Sequence, residues 1–214
     1  MRTVDHGILG IYLLRRTASA ARIPIRYKAA FLWGNIEPDL NYATYLKGFL
    51  RERVLRGHHF KQSCRRIRTL LQKTEKDHLG ILGYYRLGKL MHYLADAFTY
   101  PHNECFPGSI RQHVEYEHRM HRRFAALPEE IPEAGDRILP GVRPWKLFRK
   151  RHEQYLERRK SEGDDIYYIL RTTNEILNCL TVWKTGQMPV GTDMLLGHES
   201  GYKTGIRAYL DIPR

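Results

Sequence analysis

The chain has 214 residues, enough to bury a substantial core, and its 42% hydrophobic and 11% aromatic content excludes a disordered polyelectrolyte. A net charge of +13 favours anionic partners: phosphate esters, nucleic acid or an acidic membrane face. Three widely spaced cysteines, Cys64, Cys105 and Cys179, exclude a disulfide framework and a C-x-x-C metal knuckle.

Helical periodicity runs along the chain without an alternating strand, an internal repeat or a composition break, which predicts one all-α domain over residues 1–214. A first helix is expected near residues 6–18. Its apolar run from Gly7 to Leu14 is too short to cross a membrane and meets Arg15 and Arg16 without a small-residue cleavage site. With the thiols suited to a reducing compartment, the expectation is a soluble cytoplasmic protein. Helices follow at about 22–33, 61–75, 77–98, 109–126 and 144–161, joined by Gly- and Pro-rich connectors at 34–38, 107–108 and 132–144. The 77–98 helix carries Leu79, Leu82, Leu90, Met91 and Leu94, and Tyr100-Pro101 stops it. The last helix starts after a Gly163-Asp164-Asp165 cap signal and puts Ile166, Ile169, Leu170, Thr173, Ile176, Leu177, Leu180 and Trp183 on one core-facing stripe. Two basic stretches stand out, at residues 47–76 and 143–160. They read as solvated helix faces or as docking surfaces for an anionic membrane or nucleic acid.

The segment that carries chemistry begins at His92 and Asp96, four apart and therefore on one helix face. His102 lies just past the helix-stopping proline, and His113 and Glu117 repeat the i,i+4 spacing on the next helix. Imidazole and carboxylate are zinc ligands, and a carboxylate has two oxygens with which to bridge two ions; Asp96 is the candidate bridge. Either pair alone reads better as an exposed i,i+4 ion pair. The apolar flanks Leu90, Met91, Leu94 and Phe98 instead place His92 and Asp96 on a core helix, where ionisable groups need a strong reason such as metal ligation. His118 and His121 read as surface groups on a basic helix, and His78, His152 and His198 have no partner spacing.

This H-x-x-x-D-x5-H element followed by H-x-x-x-E resembles the zinc-dependent phospholipase C superfamily, which also contains zinc nucleases specific for single strands. Upstream, Asp39 in Gly34-Asn-Ile-Glu-Pro-Asp39 and His59 in Gly57-His58-His59-Phe60 match further ligand positions, with His58 the less fitting neighbour, and His6 matches a ligand on the first helix. The resemblance spans residues 6–117. It implies one zinc held by Asp39, His59, His92 and Asp96, a second by His102, His113 and Glu117, and a third by Asp96, His6 and the N-terminus. Secreted relatives present an N-terminal Trp to that third ion, whereas this sequence begins Met1-Arg2.

From the resemblance follows a hydrolase of phosphoric ester bonds in which zinc activates water and Asp39 positions or deprotonates it. A phospholipid would yield diacylglycerol and the phosphorylated head group. Single-stranded nucleic acid is the alternative substrate, and a non-catalytic zinc protein that associates with membranes is the alternative class. Tyr84, Tyr85, Tyr93, Tyr100, Trp33 and Phe106 are candidates for lining a lipid slot or stacking bases, with core packing the rival use.

Overall fold

A computed structural model describes residues 1–17, 22–41, 60–76, 80–126 and 142–185. Among these there are seven α-helices, one 3-10 turn and no strand, so the fold is all-α. The helices are α1 (Thr3–Arg16), α2 (Ile25–Leu40), α3 (Phe60–Lys76), α4 (Ile81–Ala97), α5 (Ile110–Ala125), α6 (Pro144–Arg158) and α7 (Glu162–Thr185), with the 3-10 turn at Tyr100–His102.

The middle of the bundle is α4. From Leu90 to Phe98 every residue is buried, the pattern of a helix enclosed by others rather than one floating on a core. It packs against α1, α2, α3 and α7, most extensively against α2. Two glycines permit that approach. A Cβ on Gly34 would lie 2.1 Å from the Tyr85 carbonyl oxygen, and one on Gly88 would lie 2.1 Å from the Phe31 carbonyl oxygen. At this crossing the backbones of α2 and α4 touch, which seats the C-terminal end of α2 beside the buried face of α4.

Residues 34–38, expected as a connector, are instead the last turns of α2, with Pro38 inside the helix. Proline usually conflicts with the carbonyl four residues back; here that residue is Gly34, whose own place is fixed by α4. The core stripe of α7 is buried from Ile166 to Leu180 as the periodicity predicts, and the side chain of Trp183 lies outside the described residues. Leu82 departs from its predicted stripe and is 56% exposed, because it sits in the first turn of α4, before the helix enters the bundle.

Polar ties hold the outer helices. Arg151 grips Glu175 with two hydrogen bonds of 2.8 Å, joining α6 to α7 with both side chains buried. The basic stretch of α6 is therefore not wholly a solvated face. Ser109 caps α5 through a reciprocal box with Gln112.

Candidate metal centre

The fold collects seven of the eight residues singled out as metal ligands; His59 lies outside the described residues. His6 comes from α1, Asp39 from α2, His92 and Asp96 from α4, His102 from the 3-10 turn, and His113 and Glu117 from α5. Asp96 stands at the centre. Its Oδ1 is 3.3 Å from His6 Nε2 and 3.4 Å from His102 Nδ1, and its Oδ2 is 3.3 Å from His92 Nε2.

Around Asp96 are two sets of donors. His6, Asp39 and His92 each offer one ligand atom within 4.8 Å of the others, and so do His102, His113 and Glu117. The second set is the one the resemblance implies. His6 differs from its expected grouping, because its Nε2 also lies 4.0 Å from Asp39 Oδ2 and its ring stacks on His92 at 3.8 Å. It stands between the Asp39–His92 pair and the amino terminus. The Met1 nitrogen is 3.3 Å from Asp96 Oδ1, 2.9 Å from Glu117 Oε1 and 3.4 Å from His102 Nε2.

The clearest argument for a cation comes from His92. Its Nδ1–H donates to the Asn35 carbonyl at 2.8 Å, which orients the ring and leaves Nε2 as the nitrogen that faces the site. That nitrogen points between two carboxylates, 3.3 Å from Asp96 and 3.6 Å from Asp39, with no hydrogen bond among the described residues. A ring nitrogen and two carboxylates converging in a buried site are costly to leave unbridged, and a shared cation between them removes that cost. His6 Nε2 and Asp39 Oδ2 are likewise buried without a hydrogen bond among the described residues. Imidazole and carboxylate without thiolate is a donor set that suits zinc.

The electrostatics agree. Burial, with His92 alongside, pushes His6 down to about 4, so its ring is neutral at pH 7. Burial opposes the Met1 ammonium, but Asp96 and Glu117 outweigh it and raise the amine to about 10. Burial also opposes ionisation of Asp96 and Glu117, yet the Met1 ammonium and His102 hold both well below the usual carboxylate range. The carboxylates draw positive charge into the site.

A cleft of about 560 Å³ opens on this centre, lined by Met1, Arg2, Thr3, Val4, Asp39, His102, His113 and Glu117. The aromatic residues considered as walls do not line it among the described residues. Arg2 does, and no spacing in the sequence marked it. Asp165 was also missed as a positioning residue, being read as part of a cap. In the structure Asp164 accepts from the Lys160 and Ser161 backbone amides, while Asp165 is fully buried. It accepts from Tyr100 N, Tyr116 Oη, Tyr155 Oη and Arg159 Nε at 2.7–3.0 Å. It thus moors the turn that bears His102 and the helix that bears Glu117 to α7. His121 is not a free surface group either, since its Nδ1 pairs with buried Asp5. His152 is buried, stacked on Phe60, and its Nε2–H donates to Asn103 Oδ1 at 2.9 Å.

A family model described as zinc dependent phospholipase C matches residues 8–188. The chain belongs to that family, whose members are zinc enzymes of the phospholipase C type. No curated protein and no solved structure matches it significantly.

Proposed function

We propose that this chain hydrolyses phosphodiesters at a zinc cluster held by His6, Asp39, His59, His92, Asp96, His102, His113 and Glu117, with phospholipid as the substrate. The products would be diacylglycerol and the phosphorylated head group. The observation that carries the reading is the buried Nε2 of His92, directed between the carboxylates of Asp39 and Asp96.

Zinc, when bound, supplies the positive charge that acidifies water and neutralises phosphate oxygens. The protein does the rest. Asp39, 11% exposed and on the cleft wall, orients the attacking water and takes its proton. Arg2, also on the wall, offers a guanidinium to the phosphate. Asn35 fixes the His92 tautomer, and Asp165, through Tyr100 and Tyr116, keeps His102 and Glu117 in register. The Met1 amine, already among Asp96, His102 and Glu117, would on losing its proton be the remaining donor for a third ion, together with His6 and Asp96.

Elemental analysis of the protein with a free N-terminus tests this, with His92→Ala as control. Two or three zinc ions per chain, fewer in the variant, together with release of phosphocholine from phosphatidylcholine, is the expected result. Less than one ion per chain would return the centre to a set of ion pairs. Tightly held zinc without hydrolysis of any phosphodiester would make its role structural, and salt-sensitive cleavage of single-stranded DNA without lipid turnover would move the substrate to nucleic acid.

A further inference from the structure

The two basic stretches of the sequence meet in a second cleft. Arg65 and Arg68 of α3 and Arg149 of α6 line one cavity of about 580 Å³ together with Phe60, Trp145 and Leu156, a size typical of small-molecule sites. The chain around the 3-10 turn separates this cavity from the metal cleft. His102 faces the latter, whereas Asn103, Glu104 and Cys105 face the former.

Its chemistry is that of an amphiphilic anion site. All three arginines are exposed at the mouth. No carboxylate among the described residues forms an ion pair with Arg65 or Arg68, and the pair of Arg149 with Glu153 is 3.4 Å long with both side chains more than half exposed, so it holds weakly. Glu104 is the one acidic lining residue among those described, leaving the cleft net positive. Half-buried Trp145 beneath Arg68, with Phe60 and the 46%-exposed Leu156, adds apolar surface that a bare phosphate would not use. Tryptophan beside arginine at an open apolar surface is the combination that favours a membrane interface.

We propose that this cleft binds the phosphodiester head of an acidic membrane phospholipid, with the three arginines on the phosphate and Trp145, Phe60 and Leu156 against the glycerol and upper chain carbons. Such a site docks the protein on an anionic bilayer without taking part in hydrolysis. It stands independently of the metal centre.

The test is vesicle co-sedimentation of the full chain in a chelator, so that failure of the hydrolase reading leaves it untouched. Phosphatidylcholine vesicles with about 30% phosphatidylglycerol are compared with pure phosphatidylcholine. Arg65→Gln/Arg68→Gln/Arg149→Gln is compared with the charge-matched Arg22→Gln/Arg26→Gln/Arg122→Gln, whose side chains are exposed and lie outside both clefts. All six changes are at solvent-facing positions and should leave folding intact. The cleft variant should lose about a hundredfold in affinity for the anionic vesicles, since each arginine held at the membrane surface contributes roughly fivefold, and the control, whose arginines are elsewhere, under about threefold. Chain-brominated phosphatidylglycerol should quench the wild type more than Trp145→Phe. Equal losses in the two triple variants would overturn the site in favour of diffuse attraction. Binding of glycerol 3-phosphate without vesicle binding would overturn the membrane assignment in favour of a soluble ester, and no binding to either would overturn both.

Discussion

His6, Asp39, His92 and Asp96 come from three packed helices, two of which, α2 and α4, touch backbone to backbone, whereas His102, His113 and Glu117 come from a short turn and one helix at the rim of the cleft. In the first group His6, His92 and Asp96 are at most 1% exposed; in the second, His113 is 32% and Glu117 19% exposed. The inner set is held by packing, and all of it but Asp39, which reaches the cleft wall, is stripped of water, so a cation there relieves unpaired polar atoms. The rim set is held by hydrogen bonds through Asp165; His102 is buried, while His113 and Glu117 remain partly open to solvent. An inner scaffold with an outer working edge is a way to combine tight metal retention with access.

The comparison breaks most completely at Asp96, the residue that touches both sets. Asp96→Ala should abolish phosphodiester hydrolysis and strip metal from both, while His113→Ala should lower the metal count only at the rim and leave thermal unfolding little changed. Metal analysis beside a melting curve checks both. Full zinc content in Asp96→Ala would sink the assignment of Asp96 as the shared ligand.

A smaller effect is expected at the seam behind the inner set. Gly88→Ala puts a methyl 2.1 Å from the Phe31 carbonyl oxygen. The clash is with backbone, which cannot rotate away, so α2 and α4 must separate. The expected destabilisation is about 3 kcal/mol, set by overpacking and only partly offset by the gain of roughly 1 kcal/mol in helix propensity. Chemical denaturation measures it, and Asp39 should move away from His92 with loss of inner metal. An unchanged midpoint would show that the crossing is not the constraint.

The part of the centre on α4 and α5 was readable from spacing, whereas His6 and Asp39 were legible only through the family resemblance. An i,i+4 His–Asp pair inside an apolar run already forces both groups onto a buried face, and the repeat at His113 and Glu117 needs only helical geometry. The close crossing was not readable, because Gly34 and Gly88 lie 54 positions apart in sequence and nothing local distinguishes a packing glycine from a connector glycine. That is why residues 34–38 read as a loop. Asn35 was invisible for a different reason: it acts through its carbonyl, which every residue has. Asp165 was masked by a cap signal that its neighbour Asp164 fulfils. His121 and His152 lacked partner spacing because their partners, Asp5 and Asn103, come from other elements.

The smallest effect sharpens the contrast from outside the metal centre, at His152 on the floor of the second cleft. Burial, reinforced by the Arg149 guanidinium and only partly opposed by the Ala97 carbonyl, pushes its pKa down to about 4. In the unfolded chain the ring would titrate near 6.5. Between these values the unfolded state binds the extra proton, so stability is fully present above about 6.5 and is lost as pH falls toward 4. Over that window the loss is on the order of 2 kcal/mol. Other carboxylates and histidines titrate in the same range, so the informative quantity is the difference between the wild type and His152→Gln, which keeps a donor to Asn103 but has no proton to gain. The wild type should lose more stability on acidification than the variant. Parallel curves would mean that the folded protein admits a charged ring at this position, and that the cleft floor is wetter than the stacking of Phe60 on His152 implies.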